Sequence, residues 1–225
     1  MSTQKQAAAK RPKMAERAQQ QLELLFPGVD PLCLWRRKLN DGYFTTPRTL
    51  PYVMKAVDDV SKGQPAGHTL FCLWARTPDH PLVTIENPAV FAAEAGFSGE
   101  RAVDTWRRRM KQLQKLNLLW AKKTAVGDFH QVLLLNPNVA MEFMWQSGLV
   151  QTDLYTRFTN RLIEIGGYND IKAIQTQWNA RRAALLAASA PPGAPAAATP
   201  ASALPPIPLP ALMMPVPVVA PKVSP

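Results

Sequence analysis

Between Arg101 and Lys115 the chain sets out hydrogen-bonding and cationic side chains at intervals of three and four residues: Arg101, Thr105, Arg108, Lys111, Gln112 and Lys115. None of them forms a nucleophile–base pair or a metal-ligand set. Guanidinium, ammonium and amide groups pair with anionic oxygens and with planar acceptors, so the chemistry on offer is recognition of a polyanion rather than bond-making. Arg107 and Arg109 add cations on the flanks, and Lys122 and Lys123 follow shortly after. Ser98 and Gly99 stand just before the run. Ser98 is the expected helix N-cap, and together they would place free N–H groups where an anion can dock.

The element that must carry these groups is a helix. Val103, Trp106, Met110, Leu113 and Leu116 repeat at the same spacing, which at about 100° per residue puts them on one face and the polar set on the other. The pattern predicts a helix from Glu100 to about Asn117, with Glu100 at the positive end of the helix dipole. Trp106 lies on the apolar stripe and is expected in the core rather than as a stacking platform.

The surrounding chain predicts further elements. Leu50 to Lys62 reads as a helix with Val53, Val57 and Val60 inward, and His68 to Arg76 as a short apolar helix. Leu82 to Ile85 reads as a strand. Asn87-Pro88 is an N-cap followed by proline at the first helical position, opening a short helix, Ala89 to Ala95. Gly96-Phe97-Ser98-Gly99 is a tight turn. Leu118–Thr124 and Phe129–Leu135 read as two strands joined by Ala125-Val126-Gly127-Asp128, and Asn136-Pro137 closes the second strand. Helices follow over Val139–Trp145, Leu149–Ile165 and Asp170–Leu186. Met14 to Phe26 is a further helix candidate, stopped by Pro27-Gly28.

Composition bounds the partners. The 225 residues carry a formal net charge of +10, which suits nucleic acid or an anionic surface. Residues 1–20 read as a basic flexible arm through Lys5, Lys10, Arg11, Lys13 and Arg17. From Ala187 the composition turns to Pro and Ala, with more than half of the 22 prolines and one charge, Lys222. Residues 187–225 therefore read as a disordered, partly polyproline-II tail. Cys33 and Cys72 each sit in an apolar run and are expected as buried, reduced thiols. His68 and Cys72 stand four apart, too sparse a set to expect a metal. The basic N-terminus has no signal-peptide core and no stretch is long and apolar enough to span a bilayer, so the expectation is a cytoplasmic protein that makes no membrane contact.

Strand, short helix, glycine turn, longer basic helix and hairpin, in that order over residues 82–135, resemble a winged helix-turn-helix domain. The residues that carry the likeness are Asn87-Pro88, Ala93-Glu94-Ala95-Gly96-Phe97-Ser98, the basic helix, and the Leu118–Leu135 hairpin. The expected fold class is mainly α with a small β-hairpin (α+β): an N-terminal extension and winged-helix domain over 21–137, a helical extension over 138–186, then the tail. The resemblance implies that helix 100–117 enters the major groove of double-stranded DNA while the wing, 118–135, touches backbone or minor groove. On that footing Arg101, Arg108 and Gln112 are placed for base edges, since Arg pairs with guanine O6/N7 and Gln with adenine N6/N7. Thr105 can approach a thymine methyl or a phosphate. Lys111, Lys115, Arg107, Arg109, Lys122 and Lys123 suit phosphates, which position without specifying. Asn136-Pro137 with helix behind it is similar to the winged helices of plasmid replication initiators. Replication initiation for a plasmid or mobile element and transcription regulation are equally open.

The chain is not expected to be an enzyme or to need a cofactor. It has no phosphate loop, no Gly-x-Gly-x-x-Gly and no His-Glu-x-x-His, and Tyr155 and Tyr168 have no histidine cluster nearby. A different class of reading makes the winged helix a scaffold and Pro205-Pro206-Ile207-Pro208-Leu209-Pro210 the ligand of a protein partner. The apolar positions of 138–186 would serve a homodimer interface or the monomer core equally.

Overall fold

A computed structural model of the protein describes residues 16–30, 33–37, 40–77, 79–125 and 127–189, apart from the side chains of Thr124 and residues 185–189. Most of the expected basic arm, and the expected tail from residue 190, lie outside the described residues. The chain forms two compact units, divided after Tyr43.

In the first unit residues 16–25 form helix α1, with Gln19 donating to Glu23 at 2.7 Å. Trp35 and Tyr43 are exposed and pair edge-on, ring centres 6.4 Å apart. Cys33 is exposed, against the expectation of burial. Its neighbour Leu34 is half-buried in a bend and Trp35 is exposed, so no packed face forms there for the thiol to enter.

The second unit holds the remaining elements: α2 (Leu50–Val60), α3 (Gly67–Ala75), β1 (Leu82–Thr84), α4 (Pro88–Glu94), α5 (Ala102–Lys115), β2 (Leu119–Thr124), β3 (Gly127–Leu134), α6 (Pro137–Gln146), α7 (Thr152–Glu164) and α8 (Tyr168–Ser189). It is mainly helical, with one small antiparallel sheet ordered β1-β3-β2, so both β1 and β2 pair with β3. Val83 and Ala121 both face Val132 across the ladders. Among the described residues no helix is long and apolar enough to cross a membrane.

One apolar cluster runs through the unit. Leu50, Val53 and Val57 of α2, Leu70 and Leu73 of α3, Trp106, Met110 and Leu113 of α5, and Val132 of β3 join Met141, Met144, Phe158 and Ile171 of the later helices. Met141 and Met144 of α6 and Phe158 and Leu162 of α7 thus enter the core of this one chain, while Ile163 of α7 is exposed. Helices α2 and α3 approach closely at Gly67, where a β-carbon would lie 2.9 Å from the Met54 carbonyl oxygen. Gly67 N–H donates to Asp58 Oδ1 at 2.7 Å, so Asp58 binds the start of α3 while Asp59 pairs with Lys55.

Both Asn-Pro dipeptides start helices. Asn87 accepts from Ala89 N at 3.0 Å, and Asn136 accepts from Asn138 N at 2.9 Å. The sequence leads one to expect the second only as the end of a strand. Helix α8 runs to Ser189, three residues into the Ala-rich segment, because alanine favours helix and no proline stands before Pro191.

Glu142 of α6 is buried. It accepts from Tyr155 Oη of α7, from Gln175 Nε2 of α8 at 2.9 Å and from Gln146 Nε2 at 2.8 Å. Its carboxylate therefore ties three helices together. Burial first, and the neighbouring Glu142 second, push the Tyr155 phenol well above its ordinary value.

Candidate nucleic-acid interface

Helix α5 is held by its ends and by one face. At its start, α4 closes in a left-handed turn: Gly96 has φ +82°, its N–H donates to Ala93 O at 3.0 Å, and Phe97 N–H donates to Ala92 O at 2.9 Å. A second turn, closed by Ala102 N–H to Gly99 O at 3.1 Å, precedes the helix. Ser98 is therefore not the N-cap. Gly99, at φ +80°, inserts that extra turn and moves the cap to Arg101, which makes no side-chain cap bond. Ser98 and Gly99 are exposed, but the free amides of the helix start belong to residues further on. At the other end Asn117 takes φ +57°, Leu118 N–H reaches Leu113 O at 3.0 Å, and the chain turns into β2.

The buried face is Trp106, Met110 and Leu113, with Leu116 beyond the helix end. Trp106 is 1% exposed and lies between Phe91 of α4, 6.3 Å away, and Phe129 of β3, 6.1 Å away. One side chain thus couples the short helix, the long helix and the hairpin.

The outward face carries Arg101, Arg108, Lys111 and Lys115 exposed, with Thr105 and Gln112 half-buried along one border. Arg107 is exposed on the other border, where its Nη1 lies 3.4 Å from Asp104 Oδ1. Gln114, not singled out from the sequence, is also exposed there. Arg109 differs from its neighbours. It is half-buried, its guanidinium lies 5.7 Å from the Phe97 ring centre, and its Nη1 donates to Gln64 Oε1 at 3.1 Å. It binds the α2–α3 loop to α5, a role for the fold.

In the hairpin the turn is shorter than expected. Thr124 pairs with Gly127, so Gly127 and Asp128 belong to β3. Between that pair and Lys122↔Gln131, β3 carries more residues than β2 and bulges. The burial of β3 shows it: Phe129 and Val132, three apart, both face inward, and Leu134 follows two later. Opposite the bulge Lys122 and Lys123 are both exposed, with Asp128 3.9 Å from Lys123.

A bidentate pair fixes the α3–α4 corner. Arg76 Nε and Nη2 donate to Glu94 at 2.8 and 2.5 Å, and the Arg76 guanidinium lies 5.1 Å from the Phe91 ring centre. Nothing in the sequence signals a contact across 18 residues. Cys72 is buried beside it and donates to Glu94 O at 3.4 Å, with His68 Nε2 3.7 Å from its sulfur. Burial, and next the Glu94 charge, raise the Cys72 thiol. Among the described residues no cluster of three His, Cys, Asp or Glu is arranged to hold a metal.

Compared with known proteins, the chain matches no family model, no curated protein and no solved structure.

Proposed function

We propose that this protein binds double-stranded DNA at specific sequences, with α5 in the major groove and the β2–β3 wing against the backbone. The observation that carries this reading is a helix locked into the core by Trp106, Met110 and Leu113 while it presents Arg101, Thr105, Arg108, Lys111, Gln112 and Lys115 outward. A rigid support makes such a row a reading head, because base-edge hydrogen bonds tolerate little displacement. Arg101, Arg108 and Gln112 read bases; Lys111, Lys115, Arg107, Lys122 and Lys123 neutralise phosphates. The biological setting that fits is a bacterial plasmid or mobile element, where the protein initiates replication or regulates transcription.

The test is selection of bound duplex from random and genomic pools at physiological salt. Enrichment of a defined motif, lost in the double charge reversal Arg108→Glu/Lys115→Glu, is the expected result. Unchanged DNA affinity in that variant would sink the proposal. Footprints then separate the two settings: repeated sites in an origin fragment mark an initiator, a single site over a promoter marks a regulator.

A further inference from the structure

Asp104 is the only acidic residue of α5. Its side chain is 66% exposed, and it stands on the outward face with Arg101 three residues before it and Arg108 four after. Its partner Arg107 lies at 3.4 Å, itself 53% exposed. Pairs of this kind bind weakly in water and can rearrange when a ligand arrives. A carboxylate here opposes the approach of phosphates. The helix dipole favours an acid anywhere in the first turn, but it does not ask for one between two outward arginines.

We propose that Asp104 determines sequence specificity, accepting a hydrogen bond from the N4 amino group of a cytosine in the major groove. The inference rests on the DNA-binding reading above. An ionised carboxylate only accepts, while guanine and thymine show it acceptors at the groove edge and are repelled. Adenine offers its N6 amino group but sets the N7 acceptor beside it. Arg101 and Arg108 demand the opposite pattern and select guanine. Side chains four apart are separated by about 6 Å along the helix, and stacked bases by about 3.4 Å. The cytosine and the guanine read by Arg108 therefore fall within about two base pairs of each other. On binding, Arg107 leaves Asp104 for a phosphate.

The experiment selects duplexes from a random pool with the full chain and with Asp104→Asn and Asp104→Ala, alongside melting temperatures of each. The wild type is expected to enrich a cytosine near a guanine. Asp104→Asn moves the preference at that one position to adenine, because an amide both donates to N7 and accepts from N6. Asp104→Ala removes about ten-fold discrimination there and tightens binding to unrelated DNA. All other positions of the motif stay the same. If the variants keep the wild-type motif, or lose affinity evenly at every site along with melting temperature, Asp104 serves only the helix and the inference fails. A wild type that enriches no sequence overturns the DNA-binding reading, and this inference with it.

Discussion

Arg109 and Lys115 lie on the same helix and carry the same charge, yet the structure gives them different work, and substituting each by alanine separates the two. Arg109→Ala removes a charged hydrogen bond to Gln64 and a guanidinium–ring contact with Phe97. A partly solvated charged hydrogen bond contributes about 1 kcal/mol, and an exposed cation–ring contact about 0.5–1 kcal/mol. The loss is about 2 kcal/mol, which for a domain of this size lowers the melting temperature by about 4–8 °C. Lys115 is exposed in the last turn of α5. Its removal should change stability by no more than about 0.5 kcal/mol but take one cation from the surface proposed to face DNA, so the slope of log affinity against log salt should flatten by about 0.9. The assays are thermal melting by circular dichroism and anisotropy titrations of a labelled duplex between about 50 and 200 mM salt. With the phosphate contacts proposed for Arg107, Lys111, Lys115, Lys122 and Lys123, the wild type should lose about 2.7 orders of magnitude in affinity over that range. The partition of roles is refuted if Arg109→Ala flattens the salt slope as much as Lys115→Ala while its melting temperature stays put.

Three further outcomes follow from the packing. Trp106→Ala removes the side chain between Phe91 and Phe129 and should cost about 3–5 kcal/mol in urea denaturation; a loss below about 1 kcal/mol would mean the helix and wing are not joined there. Alkylation near pH 8 should modify exposed Cys33 quickly and Cys72 only after unfolding, since burial and the Glu94 charge hold the Cys72 thiol protonated; equal rates would contradict this. Tyr155 has its phenol raised in the fold, so the folded state holds that proton more tightly than the unfolded chain. The associated stability is complete below the ordinary phenol range and drains away as pH rises above about 10. The 295 nm titration difference between the protein and Tyr155→Phe should place the Tyr155 ionisation above the ordinary phenol range; an ionisation of Tyr155 within that range would count against the buried Glu142 contact.

Much of the second unit was legible because its signals are local. The stripe Trp106, Met110, Leu113 needs only the helical period to be read, and the structure buries all three. Asn87-Pro88 announces a helix start through a bond that spans two residues. Asn136-Pro137 carries the same signal, obscured in the sequence by the strand that ends there. Where reading failed, a residue's role depended on a partner remote in sequence. Ser98 has the right type for a cap, but the backbone of Gly99 moves the helix start past it. The alternation of β3 breaks at a bulge, which is a property of the pairing between two strands and not of either one.

The sequence by itself determined which helices and strands form, to within about a turn at their ends, the apolar stripe of α5, and that this helix presents a basic, amide-bearing row, because periodicity and capping act within a few residues. Only the tertiary structure decided which cations of that row are available. Arg109 is drawn to Gln64, 45 positions away, and Asp58 to the backbone of Gly67. It also decided that Glu142 would bind residues of two later helices. The physical reason is the same in each case: a polar side chain takes the partner nearest in space, and folding alone sets that distance.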